Sequence, residues 1–208
     1  LLAAAAARTK NIRLSTAVTV LSSDDPVRVF QSFATLDLIS NGRAEIMAGR
    51  GSFIESFPLF GYDLKDYGGL FDEKLRLLDQ LGKSEKITWS GEFRSPIEDL
   101  GIYPRPVQNP MPIWVAVGGT PESAVRAASM GLPMALAIIG GMPARFEPFF
   151  RIFREAAVEY GFDPNTIPLS INSHGYILED AQEAVDTFYP YAEKMMNKIG
   201  KERGWAPA

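Results

Sequence analysis

The chain has 208 residues, of which 46% are hydrophobic and 22% charged, with 21 Lys and Arg against 25 Asp and Glu. A net charge of -4 and scattered basic residues exclude the basic face by which proteins bind nucleic acid. The absence of cysteine removes disulfides and thiolate metal sites and makes a cytoplasmic setting the default expectation.

The opening LLAAAAARTK has no basic leader and an apolar run too short to span a bilayer, so it reads as the end of a helix. Without an initiator Met, the chain is expected to be a piece of a longer protein. A strand is expected over 12–20, then a helix over 26–40 with Asp25 as cap, Pro26 at its first position and Asn41-Gly42 as its stop. A strand at 44–49 and a helix at 67–82 follow. Residues 83–111, rich in Pro, Gly and polar side chains, read as an excursion carrying a hairpin at ITWSGEF rather than as a separate domain. Then come strands at 112–117, 133–139 and 168–177 alternating with helices at 121–130, 143–160 and 179–199, the last bent at Pro190.

Most of these strands are almost continuously apolar, as strands covered on both faces are. Strand followed by helix, five times over, means parallel strands with crossover helices, and so a doubly wound sheet or a β/α barrel. Residues 1–208 read as a single domain. In either architecture, cofactor sites lie at the C-terminal strand ends.

Three such ends stand out: STAVTVLSSDDP, AGRGSF and VGGTPES. Arg50 sits between Gly49 and Gly51, where a guanidinium can hold a phosphate through paired hydrogen bonds or simply decorate a surface turn. Gly118, Gly119 and Thr120 open a helix whose free N–H groups suit an anion, although glycine and an N-cap threonine also serve any sharp turn. Together the two corners offer one anion charged and backbone donors, which points to a phosphorylated cofactor. A Rossmann site fits less well, because position 54 is Ile where a third glycine would be needed. The lone His174 reads as structural, Asp24-Asp25 as a cap, Glu98-Asp99 as solvated loop, and Phe146, Phe149, Phe150 and Phe153 as a core-facing stripe. No metal-ligand spacing, nucleophile elbow or triad can be drawn.

The segments DDPVR, LDLISNGR, AGRGSF and PIWVAVGGTPESAVRAASMGLPMALAIIGG, in this order, resemble the bacterial luciferase-like flavin-dependent oxidoreductases from about Arg8 to about Asn197. The resemblance implies a (β/α)8 TIM barrel of which about five βα units are present here, and a reduced FMN supplied by a separate flavin reductase or, in one branch, a deazaflavin coenzyme. It places Ala17-Val18 at a non-proline cis peptide under the flavin ring, Arg50 and its neighbour Ser52 on the cofactor, and Gly119 and Thr120 on the phosphate. Gly118 completes that turn, and Ile138 lies beside the ring. It implies no catalytic residue in this chain, since the family's histidine near the reactive flavin carbon belongs to units before Leu1 and His174 is not its counterpart.

The expected function is therefore monooxygenation of a small organic substrate with reduced FMN and O2. The alternatives are a deazaflavin-dependent dehydrogenase and a non-catalytic flavin-binding or structural barrel remnant. Helix 26–40 spreads Val27, Val29, Phe30, Phe33, Leu36 and Ile39 over more than one face, from which a homodimer or higher homo-oligomer is expected.

Overall fold

A computed structural model of the chain describes residues 1–51, 53–140 and 142–203. The chain packs as two compact units, Leu1–Asn172 and Ser173–Ala208. The first opens with α1 (Leu2–Arg8), followed by β1 (Thr19–Val20), α2 (Pro26–Ser40) and β2 (Ile46–Gly49). Next come α3 (Ser56–Leu59), α4 (Tyr67–Lys83) and the strands β3 (Lys86–Trp89) and β4 (Ile97–Gly101). It continues through β5 (Ile113–Val117), α5 (Pro121–Ser129), β6 (Met134–Ile138) and α6 (Glu147–Glu159) to β7 (Leu169–Ser173).

Among the described residues the main sheet has the order β1-β2-β5-β6-β7. The pairs β1–β2, β2–β5 and β5–β6 are parallel, with Val20 opposite Gly49, Ala48 opposite Val115 and Val117 opposite Leu136. All their C-terminal ends therefore lie along one edge. The expected first strand is mostly irregular, touching the sheet at a Leu14–Ala44 bridge before β1.

α2 has its expected bounds, Pro26–Ser40. The Asp25 carboxylate accepts from the Val27 and Arg28 N–H groups, and Asn41 adopts the left-handed conformation with φ 56. Its apolar sides are covered largely within the chain: Val29, Phe30, Phe33 and Leu36 are buried, and α1 and α4 pack against the helix. Leu38 and Ile39 stay exposed.

The core alternates large and small. Ile46, Val115, Val117, Met134 and Leu136 from the sheet meet Phe71, Leu75 and Leu78 of α4 and Phe153 of α6, while Ala124, Ala127 and Ala128 let α5 approach closely. Each fully buried Leu, Ile or Phe contributes about 1.5–3 kcal/mol. Phe146, Phe149 and Phe150 pack partly buried against this core beside Phe153, so the aromatic stripe does face inward.

The excursion holds an antiparallel hairpin wider than ITWSGEF. Its return strand is β4, because the Glu73 carboxylate accepts from the Glu92 and Phe93 N–H groups, and residues 90–96 form the connecting loop. β7 ends at Ser173, four residues before the expected strand end, and leaves His174 outside the strand and exposed. In the second unit α7 (Ala181–Arg203) contains Pro190, and Tyr176 stacks on Phe188 at 5.7 Å.

Candidate functional site

The two phosphate corners meet. β2 and β5 are neighbours, so Arg50, just past β2, reaches the turn past β5. Its Nη2 donates to Thr120 Oγ1 at 3.0 Å and to Ser123 Oγ at 2.9 Å, and the two hydroxyls are 2.7 Å apart. The guanidinium lies 4.8 Å over the Tyr67 ring, whose hydroxyl donates to the Gly51 carbonyl at 3.0 Å. Arg50 Nε and Nη1 have no acceptor among the described residues, which leaves one edge of the fork for an incoming anion.

Thr120 stands at the N-cap of α5, yet its hydroxyl makes no capping bond, being taken up with Arg50 and Ser123. With Pro121 at the first position, the Glu122 N–H has no acceptor among the described residues, at the positive end of a nine-residue helix. Gly119 has φ +124, a conformation that favours glycine. A Cβ built on Gly118 or Gly119 would meet nothing within 4 Å, so space above the corner is open. A side-chain cation, an unbonded N–H at a helix start and an open glycine turn suit a phosphate group.

The other expected residues fall along the same edge. The Ala17-Val18 peptide is cis, and lies just before β1. Val18 fills the space over Gly49, where a Cβ would stand 2.7 Å from Val18 Cγ2. Ile138, the last residue of β6, is buried. Ser52 lies outside the described residues. Neither Tyr67 nor Ser123 was singled out from the sequence, although Thr120 and Ser123 are three apart at a helix start and so share a face.

No group of three or more His, Asp or Glu side chains suited to a metal occurs among the described residues, and none of their helices is long and apolar enough to cross a membrane.

Residues 1–206 match the family described as luciferase-like monooxygenase. The F420-dependent glucose-6-phosphate dehydrogenase of Amycolatopsis mediterranei is 32% identical over 120 residues, 56% of this chain and 35% of that protein. The alkanal monooxygenase alpha chain of Photobacterium leiognathi is 26% identical over 177 residues, 85% of this chain and 49% of that one. Among solved structures, the monooxygenase RslO1 of Streptomyces bottropensis superposes with a TM-score of 0.86 at 29% identity, covering 96% of this chain and 61% of that chain. The chain thus spans about a third to a half of these curated relatives.

Proposed function

From the premise that this chain belongs to the luciferase-like monooxygenase family, we propose that it is the phosphate-anchoring part of a flavin-dependent monooxygenase. It takes reduced FMN, delivered by a separate reductase, and uses O2 to oxidise a small organic substrate. The observation that carries this reading is the junction of Arg50, Thr120 and Ser123 across two adjacent strand ends. The alkanal monooxygenase chain and RslO1, which align over most of the chain, support an oxygenase.

Reduced FMN, when bound, supplies the electrons that activate O2, and the chemistry is the cofactor's own. The protein's part is binding and placement. Arg50 would neutralise the phosphate through its Nε and Nη1 edge, and Thr120 and Ser123 hold the guanidinium in place. The Gly118-Gly119 turn lets the backbone approach closely, and the Glu122 N–H adds a donor at the helix start. Val18, Gly49 and Ile138 would offer the ring an apolar seat from which water is excluded. None of these side chains moves a proton, so no catalytic acid or base is assigned to them. A homo-oligomer through α2 would bury the exposed Leu38 and Ile39.

A second reading, hydride transfer with a deazaflavin, is favoured by the F420-dependent relative at 32% identity. The same corner would hold either phosphate. Titration of the full-length protein with FMN and with the deazaflavin separates them, together with O2 uptake after photoreduction. Tight FMN binding and O2 consumption with a substrate panel are expected; deazaflavin binding without FMN binding overturns the monooxygenase reading.

A further inference from the structure

α4 turns one face toward the strand ends, and residues 67, 70, 71 and 74 share it. Leu70 and Phe71 are buried as expected for such a face, and Tyr67 carries Arg50. Lys74 is the exception, a lysine only 3% exposed among leucines. Its Nζ donates to the Ser22 carbonyl at 2.7 Å, in the short turn that ends β1, and lies 4.2 Å over the Tyr62 ring. The Ser22 hydroxyl is itself buried without a partner among the described residues.

Burying an ammonium is costly, and a leucine or methionine here would make a more stable core. Tyr62 belongs to residues 53–66, which connect the Arg50 corner to α4; an open cleft of about 710 Å³ is lined by this segment's own residues, Ile54, Pro58, Tyr62 and Leu64 among them. Phe57 and Tyr62 of that segment meet the α4 face. Phe57 packs on Tyr67 at 5.4 Å, and Tyr62 packs on Lys74.

We propose that Lys74 is a positioning residue that fastens segment 53–66 to the end of β1 and so sets the access of solvent and substrate to the strand-end site. The ammonium grips a carbonyl on one element and an aromatic face on another. Only the site it guards rests on the flavin reading; the fastening itself does not.

The test compares wild type with Lys74→Met, Lys74→Arg and Tyr62→Leu in the full-length protein. Expected for Lys74→Met are an unchanged or higher melting temperature, an FMN Kd within about threefold of wild type, and cleavage within 53–66 by a broad-specificity protease faster by about tenfold. Iodide quenching of bound FMN should rise severalfold. Lys74→Arg, which keeps both contacts, should restore slow cleavage, and Tyr62→Leu should reproduce the fast cleavage should Lys74→Met fail to fold. Unchanged cleavage in Lys74→Met or Tyr62→Leu overturns the proposal, as does a melting temperature that falls in step with cleavage. If wild type binds no FMN, the flavin reading fails while the proteolysis result still decides the role of Lys74.

Discussion

Replacing Arg50 with Met keeps the apolar stem and removes the guanidinium. Thr120 and Ser123 remain bonded to each other at 2.7 Å, so the substitution leaves no orphaned hydroxyl in the corner. A hydrogen bond to a charged group is worth about 1.5–3 kcal/mol, and two nitrogens of Arg50, Nε and Nη1, have no acceptor among the described residues. Because Arg50 is half-buried and partly screened by solvent, the pair belongs toward the lower end, about 3–4 kcal/mol. At about 1.4 kcal/mol per decade, the FMN Kd should rise by roughly two to three orders of magnitude. The assay is fluorescence titration of the full-length protein with FMN and, in parallel, with riboflavin, which lacks the phosphate. Riboflavin should bind Arg50→Met about as well as wild type. An FMN Kd within threefold of wild type would refute the assignment, and so would an equal loss for both ligands.

Gly49→Ala places a Cβ 2.7 Å from Val18 Cγ2, and a stiff β-branched neighbour yields poorly, so a loss of about 1–3 kcal/mol is expected in urea denaturation. Gly118→Ala, with nothing within 4 Å of its Cβ, is the control and should change stability by less than about 0.5 kcal/mol. Asp25→Ala removes the carboxylate that caps α2 and pairs with Arg94 at 2.9 Å; a cost of about 1–2 kcal/mol should appear as a lower denaturation midpoint with an unchanged slope. The Tyr103 hydroxyl donates to Glu85, which raises its pKa above the ordinary tyrosine value of about 10. A raised folded-state pKa means that this stabilisation is complete below the ordinary value and is lost as pH climbs through the folded one. Phenolate absorbance should show one tyrosine, absent in Tyr103→Phe, titrating later than the rest, and Glu85→Gln should return it to the ordinary range.

Where a local signal exists, the chain announced its own structure. Asp25, Pro26 and Asn41-Gly42 bracket α2 because capping and left-handed turns depend on residues within four positions. The strand and helix alternation was equally legible, and with it the edge on which Arg50 and Gly118 to Thr120 had to meet. Contacts made across the fold were not. Ser90-Gly91 looks like a tight turn, but Glu73, some twenty residues earlier, holds the Glu92 and Phe93 backbone and delays the return strand to Ile97. Tyr67 under Arg50 and Lys74 under Tyr62 are likewise pairings between a helix and a loop that no periodicity reports. Helix α2 divides its many-sided apolar surface in a way no periodicity reports: α1 and α4 cover most of it, while Leu38 and Ile39 stay exposed.

Two neutral hydroxyls hold Arg50, and no carboxylate touches it among the described residues. An arginine paired to an aspartate must surrender that partner before it can serve a ligand, and much of the gain is spent on the exchange. Here the charge is undivided, and the fork is already aimed before anything arrives. Capture then requires little rearrangement, and encounter is quickened by a field that dissolved salt weakens. The same openness makes the corner indiscriminate: inorganic phosphate or sulfate should compete for it, so the choice of buffer becomes a variable in any measurement of what binds there.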